Sequence, residues 1–569
     1  MNIEQLLLRE SFIELSARER ARALLDPGSM RELIGPFDRL YSPWLAMQGV
    51  VSQSDDGVVL AKGTFDGKPC LVIAIEGAFQ GGSLGEAGGA KIAGALELAA
   101  DNNRKGIPTG AFILFETGGV RLQEANLGLA AIAEIHAAIV DLRRYQPVIG
   151  ITAGTVGCFG GMSVAAALCS YLIVTREARI GLNGPAVIEQ EAGIAEYDSR
   201  DRSFIWSFTG GEQRYASGLA DVLAGDDVAE LRTALSSLIL RGLPDRHRSE
   251  QVGHYLACID RVDTDVQATP EMVRQIYTSP PLVTDVAEPV LPAACDNTVA
   301  TGRGASWFAA LTGGAALLPG YARSVLVADA MLNEKSARYI AVVPDVQNRF
   351  PRARNGEVGL LEGWQLAHAV QDLILADHDA KIKTPIIAVI DVASQAYGRR
   401  EEAFGIHLAL AAAAGAYASA RLAGHPVIGL IVGKAMSGAF LAHGYQANRL
   451  IAFDDSEVMV HAMGKASAAR ITLRSVAELE TLAAAIPPMA YDIQSFASLG
   501  LLSQCLSVNT PDCPDEPEVL KVMHSLCKEL DAIHADVHRD LRGRLGAPYR
   551  STSAKVRRKL RTQWKGVVA

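Results

Sequence analysis

An internal repeat constrains the fold of this chain more than any other feature of its sequence. Pro147–Gly150 and Pro426–Gly429 share the sequence Pro-Val-Ile-Gly. After each copy come an apolar run, a loop of small residues, an alanine-rich stretch and a second apolar run, and with one gap Gly160 aligns with Gly438. Because self-similarity in a sequence indicates repeated architecture, the chain is predicted to contain two domains of one fold.

The repeat extends upstream of the shared tetrapeptide. The apolar runs AFILF, from Ala111, and IIAVI, from Ile386, each follow closely on a proline and lead into a polar loop and an alanine-rich helical stretch. Short apolar strands that alternate with longer helices are typical of ββα units around largely parallel sheets, whose strands are buried on both faces. The predicted fold class is therefore α/β, with two tandem domains built from ββα repeats.

Length and composition exclude several classes of protein. The chain has 569 residues, 49% of them hydrophobic, so a large core can form and general disorder is excluded. Its net charge of −9 argues against nucleic-acid binding, which requires a basic balance. Tyr145–Thr175 carries no charged residue, but Pro147 and five glycines favour a buried strand, loop and helix over a membrane span. Because the N-terminus lacks signal-peptide features, we expect a cytoplasmic protein.

Prolines and changes in charge predict the domain boundaries. Residues 279–304 contain four prolines and little periodicity, which is typical of a linker. From Arg539 to Lys565 there are ten lysines or arginines and one acidic residue. This basic segment is expected either to dock an acidic partner or a phosphate-bearing ligand, or to be a solvated tail. The predicted division of the chain is 1–278, 279–304, 305–538 and 539–569.

Two glycine loops in corresponding positions of the repeat are candidate oxyanion holes. Thr155–Met162 and Gly433–Phe440 each lie between an apolar run and an alanine-rich helical stretch. The N–H groups that begin a helix lack intrahelical partners and lie at its positive end, so they can stabilise a negatively charged oxygen. Simple packing is the alternative role for the glycines of either loop alone. Because the loops occupy corresponding positions, we expect them to serve one site.

Polar residues in and around the second loop leave a second function open. Ser437 lies in a sequence similar to the G-x-S-x-G nucleophile elbow, but Ala435 and Ala439 stand where the outer glycines belong. A serine hydrolase is therefore the weaker alternative. His443 and His461 flank this loop and are either proton donors or structural residues.

Three motifs of the first half resemble the acyl-thioester half of the carboxyltransferase branch of the crotonase superfamily. They are Gly81–Glu86, Glu116–Arg121 and Phe159–Gly161. On its own, the first could cradle a phosphate or only cap a helix, and the second could line a ligand cleft or only form a turn. The second half is similar to the γ subunit of biotin-independent malonate decarboxylase, above all in Ser456–Glu480 and Ala485–Leu502. The resemblance covers nearly the whole chain and implies a fusion of β and γ subunits with two tandem crotonase-like (ClpP/crotonase, carboxyltransferase-type) domains.

The resemblance also implies an activity and a set of partners. The expected reaction removes CO₂ from malonyl carried as a thioester on an acyl carrier protein, through an enolate, and leaves acetyl-carrier. The family's carrier arm is a phosphoribosyl-dephospho-coenzyme A group, and an acyl-carrier transferase (α) subunit exchanges acetyl for malonate. Neither biotin nor a metal is expected, and neither nucleic acid nor a membrane is an expected partner. The oligomeric state and the proton donor to the enolate stay open.

The expected site residues come from the glycine loops and the family's motifs. The N–H groups near Gly160 and Gly161 are assigned to the enolate oxygen, and the loop at Ser437 and Gly438 to the departing carboxylate. Lys434 is not expected to bind that carboxylate, because a tight cation would stabilise the charge that must be lost. The expected substrate-binding residues are Gly81, Gly82, Ser83, Gly118, Gly119, Phe159 and Ala439. Two further alternatives are the carboxyltransferase subunit of a biotin-dependent acyl-CoA carboxylase and a non-catalytic scaffold for a carrier protein.

Overall fold

Two α/β units make up the chain, and they interleave along the sequence. The computed structural model describes residues 9–279 and 302–565. Unit 1 consists of Met1–Arg248, Ala268–Thr278 and Arg550–Ala569, and unit 2 of Ser249–Gln267 and Ser279–Tyr549. Most of the predicted linker, residues 280–301, lies outside the described residues. The units are defined by contacts, and the four segments drawn from the sequence stay a prediction.

The sheet of unit 1 has seven strands that lie side by side in the order of the sequence. The first three strands pair antiparallel, and every later neighbour pairs parallel. The parallel strands at its centre are almost entirely buried, as expected for strands covered on both faces. The strands are β1 Arg31–Leu33, β2 Val58–Phe65, β3 Lys68–Ile75, β4 Gly110–Leu114, β5 Val148–Thr152, β6 Tyr171–Thr175 and β7 Val222–Ala224.

The helices of unit 1 follow the strands and cover the sheet. Several begin at a residue whose side chain accepts an N–H of the first turn: Ser16 forms a capping box with Glu19, and Asp227 accepts two such groups. The helices are α1 Ala17–Leu24, α2 Glu86–Arg104, α3 Ala125–Leu142, α4 Gly161–Leu168, α5 Pro185–Ala192, α6 Arg202–Thr209, α7 Gly211–Ala216, α8 Val228–Arg241, α10 Pro270–Thr278 and α20 Ser551–Trp564.

The uncharged stretch Tyr145–Thr175 forms β5, a glycine loop, α4 and β6, nearly all buried, which confirms the prediction of a buried strand, loop and helix. Among the described helices, one span, Leu122–Leu142, is long and apolar enough to cross a membrane. Its most apolar window is 89% buried within the protein, as in a core helix. Helix α3 forms most of this span and packs against α2 and α4.

The sheet of unit 2 repeats this plan. An antiparallel pair at one edge is followed by parallel strands in the order β8, β9, β10, β11, β12 and β14, and β13 pairs with the far end of β11. The strands are β8 Val325–Leu332, β9 Lys335–Val342, β10 Ile386–Val392, β11 Val427–Met436, β12 Arg449–Phe453, β13 Met459–His461 and β14 Gln504–Leu506.

The helices of unit 2 place the second copy of the repeat as predicted. Strand β11, helix α15 and strand β12 correspond to β5, α4 and β6 of unit 1, which confirms two α/β units built on one plan. The helices are α9 Val252–Asp260, α11 Arg303–Thr312, α12 Leu360–Ala376, α13 Arg399–Ala403, α14 Ile406–Leu422, α15 Ser437–Ala442, α16 Lys465–Ile471, α17 Val476–Ala485, α18 Ile493–Ser498 and α19 Glu516–Ala535.

Candidate active site

Three loops of unit 1 meet at the carboxyl edge of its parallel sheet, where open α/β sheets place their ligands. The loop after β4 pairs with the loop after β5 through Thr117. Its N–H donates to the Gly157 carbonyl (2.8 Å), and its carbonyl accepts the Phe159 N–H (3.0 Å). The Gly118 N–H donates to the Gly81 carbonyl (2.9 Å) in the loop that precedes α2. The structure thus brings together the three loops that the sequence singles out.

Glycines allow the loops of unit 1 to approach each other this closely. At Gly82, with φ of 65°, a Cβ atom would lie 1.8 Å from the carbonyl oxygen of Glu116. At Gly119, with φ of 102°, it would lie 3.0 Å from the carbonyl oxygen of Phe159. At Gly160, with φ of 60°, it would lie 3.2 Å from the Cα atom of Gly119. These positions therefore require glycine both for backbone conformation and for space.

Of the N–H groups at the start of α4, one has a hydrogen-bond partner and two do not. The Gly160 N–H, expected from the sequence as a donor to the enolate, instead donates to the carbonyl of Leu182 (2.8 Å). Among the described residues, the N–H groups of Gly161 and Met162 have no hydrogen-bond partner. They lie in the first turn of an eight-residue helix, at its positive end. The donors available at this turn are therefore Gly161 and Met162, and Gly160 only shapes the turn.

A further free amide comes from the neighbouring loop. Leu84 and Val120 form a parallel bridge, in which the Leu84 N–H and carbonyl bond to the residues on either side of Val120. The Val120 N–H therefore points away from Leu84, and it has no partner in the described part of the chain. A Cβ atom on Gly160 would lie 3.9 Å from this nitrogen. Val120 and the start of α4 thus offer amides from two touching loops, the arrangement that an oxyanion hole needs.

Two side chains of opposite charge hold the loop between β5 and α4. The Glu116 carboxylate accepts the N–H groups of Gly154 (2.9 Å) and Gly157. The Arg179 guanidinium donates to the carbonyls of Thr155 (2.6 Å) and Val156 (3.4 Å). The acid thus binds the N–H groups at the two ends of the loop, and the base binds the carbonyls between them.

The surroundings of both charged groups restrict their motion. The Arg179 guanidinium lies between the rings of Trp206 (4.4 Å) and Phe159 (5.3 Å), and its burial lowers its pKa. Burial raises the pKa of Glu116, although Arg20, 3.8 Å away, and the loop amides oppose that shift. Because Phe159 immediately precedes the glycine turn, this clamp fixes the position from which α4 begins.

The corresponding loop of unit 2 has a similar design with different partners. The Gly438 N–H, expected as a free donor, donates to the side-chain oxygen of Gln395 (3.0 Å), so this residue anchors the loop. Ser437 has φ of 55°, an uncommon value for a residue other than glycine. The parallel pairing of Met436 with His461 takes up the Ser437 N–H, whereas the Ala439 N–H has no partner among the described residues. The Lys434 N–H bonds to the Asp391 carboxylate (3.0 Å), which holds the approach to the turn.

The two histidines beside this loop are structural. The His443 ring contacts the Tyr417 hydroxyl through Nδ1 (3.0 Å) and the Val389 carbonyl through Nε2 (3.0 Å), so both of its nitrogens are engaged. His461 contacts the Met463 backbone. Burial lowers the pKa of each histidine to about 4. Neither ring contacts Ser437, so in the described residues the serine has no neighbouring base that would make it a nucleophile.

Comparisons with known proteins identify the family of this chain. A family model described as the malonate decarboxylase gamma subunit matches residues 353–564. A malonyl-S-ACP:biotin-protein carboxyltransferase of Malonomonas rubra is 39% identical over 254 residues, which cover 43% of this chain and 80% of that protein. The chain belongs to the malonate decarboxylase family.

One further relative matches most of the chain, and a solved structure matches about half of it. The methylmalonyl-CoA carboxyltransferase 12S subunit of Propionibacterium freudenreichii subsp. shermanii is 27% identical, over 81% of this chain and 78% of its own length. A chain from a crystal structure of a Pseudomonas malonate decarboxylase hetero-tetramer in complex with malonate is 65% identical; the match covers 48% of this chain and all of that one, with a TM-score of 0.48. The γ-subunit match and the carboxyltransferase relatives together identify the chain as a fusion of β-like and γ-like halves.

Several site residues of this family member were not found from the sequence. Val120 and Met162 contribute through their amides, which leave no signal in side-chain chemistry. Gln395 lies in the loop after β10, the counterpart of the loop after β4, so the repeat itself could have pointed to it. Arg179 and its aromatic neighbour Trp206 follow β6 in a stretch without any motif. Within residues 9–279 and 302–565, no group of three or more His, Cys, Asp or Glu side chains could hold a metal ion.

Proposed function

We propose that this chain is a biotin-independent carboxy-lyase that removes CO₂ from a malonyl thioester and leaves an acetyl thioester. The observation that carries the proposal is the group of free amides of Val120, Gly161 and Met162, contributed by two touching loops. Amides without partners are costly to bury and favour a bound oxygen, most strongly one that carries negative charge.

The reaction follows from where the charge moves. When the bond between the methylene carbon and the carboxylate breaks, its electron pair forms the enolate and the thioester oxygen becomes negative. Amides aimed at that oxygen stabilise the transition state more than the ground state, and this difference lowers the barrier. The loss of one such donor typically costs a factor of roughly 10²–10³ in rate. A proton then adds to the methylene carbon, which gives the acetyl thioester.

From its place in the repeat, the loop of unit 2 is proposed to bind a carboxylate of the kind that leaves as CO₂. The Ala439 amide is available for a carboxylate oxygen, whereas the Ser437 amide pairs with β13 and the Gly438 amide holds the loop through Gln395. Neutral amides suit this task, because they orient the group without the strong ion pair that would oppose loss of its charge. Gly81, Gly82, Ser83, Gly118 and Phe159 are proposed to shape the thioester side.

The substrate is proposed to arrive on an acyl carrier protein, attached to a phosphoribosyl-dephospho-coenzyme A arm. An acyl-carrier transferase (α) subunit would then exchange the acetyl product for malonate. These assignments rest on the family, as does a cytoplasmic location for the complex. Assembly with other subunits is supported by the relatives, since one similar structure is a hetero-tetramer and another a hetero-dimer.

One experiment tests this function against its main competitor. Malonyl-carrier and malonyl-CoA, each labelled with ¹⁴C in the free carboxyl group, are supplied with and without a biotinylated acceptor, and labelled CO₂ is measured in the headspace. We expect CO₂ release without biotin, at a rate that the acceptor does not change. The Malonomonas relative is described as a biotin-protein carboxyltransferase, so the competing result is label on biotin and no CO₂ in its absence. That result would reject the decarboxylase and favour the carboxyltransferase.

A further inference from the structure

The C-terminal helix α20 has two faces of different character. One face is buried and carries both apolar and charged groups, and the other is exposed and basic. The buried residues recur at intervals of three to four, as on one side of a helix. They are Ser553, Val556, Arg557, Leu560 and Trp564. The exposed basic residues are Lys555, Arg558, Arg561 and Lys565.

The buried face makes an ion-pair network with helices α2 and α3 of unit 1. Arg550 and Arg557 donate to opposite oxygens of the Glu134 carboxylate, at 2.6 and 2.9 Å. Arg557 also contacts Glu97 at 3.1 Å. Burial alone would raise the pKa of Glu134, but the two guanidinium groups outweigh it and lower that pKa. The negative charge of Glu134 compensates the two buried arginines, and removal of one partner of this network would leave a buried charge unpaired.

Contacts at both ends of α20 extend the surface of unit 1 against which this helix packs, here called the seat. The Ser553 N–H donates to the buried carboxylate of Glu86 (2.8 Å) at the first turn. At the last turn, the Trp564 indole donates to Asn102 (3.2 Å), and the Lys62 ammonium lies 4.5 Å from its ring centre. Gly94 faces the middle of the helix, where a Cβ atom would lie 3.2 Å from Arg557. The seat on unit 1 is therefore shaped closely to this helix.

The helix belongs to one half of the chain by sequence and to the other by contacts. The γ-subunit match runs from residue 353 to residue 564 and so includes the whole of α20. The contacts of Arg550–Ala569 nevertheless belong to unit 1, which contains the β-like half. The basic segment thus contains a packed helix, although its exposed face leaves the predicted acidic partner untested.

We propose that α20 is a docking helix through which the γ-like half binds the β-like half, independently of the linker between them. The partner that the seat fits is the amphipathic basic helix at the end of a γ-type chain. The seat recognises it by the carboxylates of Glu134 and Glu97 and by the pocket around Trp564. This inference goes beyond the proposed function and needs no catalytic activity for its test.

The test uses the full chain with a specific protease site inserted within residues 280–301. After cleavage, sedimentation velocity over a dilution series gives the dissociation constant of the two halves. We expect the halves of the parent chain to stay associated. Arg557→Glu, which places a third acid beside Glu134 and Glu97, should weaken association by roughly 10²-fold or more. Arg558→Glu makes the same charge change on the exposed face and should alter it by less than about threefold.

A second measurement needs no variant protein and so does not depend on how Arg557→Glu folds. A synthetic peptide of residues 548–565 is added in excess to the cleaved parent chain, with the Arg557→Glu peptide as its control. The parent peptide should displace the helix and weaken association of the halves, and the control peptide should not. The proposal is overturned if the parent halves separate on cleavage, if both glutamate variants behave alike, or if neither peptide has an effect.

Discussion

Replacement of Gly119 by alanine tests the oxyanion hole where its two loops touch. Gly119 has φ of 102°, and an added Cβ would lie 3.0 Å from the Phe159 carbonyl oxygen and 3.1 Å from the Gly160 Cα atom. Both neighbours are backbone, so neither can rotate away as a side chain would. The added methyl group must therefore separate the loop that carries Val120 from the turn that carries Gly161.

The size of the effect follows from these distances. A contact of 3.0 Å must lengthen by about 0.4 Å to reach ordinary van der Waals distance. Catalytic groups tolerate displacements of roughly 0.5 Å, so one amide moves to the edge of its useful range. Complete loss of a donor costs roughly 10²–10³ in rate, and for a displaced donor we expect kcat to fall about 10- to 100-fold. The positive φ adds backbone strain of about 1–3 kcal/mol to the folded state.

The assay is CO₂ release from malonyl-carrier, with the free energy of unfolding measured in parallel. Gly106→Ala is the matched control, because Gly106 also has positive φ (78°) but an added Cβ would meet nothing within 4 Å. Both variants should lose stability, and only Gly119→Ala should lose kcat. If folded Gly119→Ala turns over at the parent rate, the amides of these two loops do not stabilise the enolate and the reasoning is wrong.

Three further predictions follow from the clamp, the histidines and the serine. Glu116→Gln and Arg179→Lys each loosen the loop between β5 and α4, so kcat should fall about tenfold while KM for malonyl-carrier changes less; equal falls in Tm without a kcat effect would contradict this role. Buried His136 and His443 have pKa values of about 4, below the 6.5 of an exposed histidine. The unfolded chain therefore binds more protons as pH falls from 6.5 towards 4, and each histidine should destabilise the fold by about 2 kcal/mol at pH 5. Urea unfolding of the parent and His443→Gln should show a weaker pH dependence in the variant. Ser437→Ala should retain most of the CO₂ release, and a fluorophosphonate probe should not label the parent; labelling that depends on Ser437 would instead support a hydrolase.

The sequence predicted the architecture because local chemistry determines it. The apolar run before Gly154 and the alanine-rich stretch after Gly160 are read correctly as strand and helix, since burial and helix propensity act over neighbouring residues. The repeat then transfers this reading to β11 and α15. In the same way, the glycines of the three loops indicate that backbones approach each other or a ligand there.

The identity of the free amides could not be predicted in this way. Gly160 and Gly161 are adjacent residues of the same type, so the sequence does not distinguish their amides. The fold brings the Leu182 carbonyl to the Gly160 N–H, which leaves only the Gly161 N–H free. The same holds for Gly438, whose amide is taken by Gln395. The basic C-terminal segment was ambiguous for a related reason, since the carboxylate of Glu134 that neutralises it lies more than four hundred residues away.

The three glycine loops of unit 1 contact one another largely through main chain, and this limits how they can change during evolution. A methyl group on Gly82 would overlap the Glu116 carbonyl oxygen, at 1.8 Å. Most substitutions at this position should therefore disrupt the loop rather than adjust its specificity. Laboratory libraries that seek new thioester substrates should therefore leave these glycines untouched.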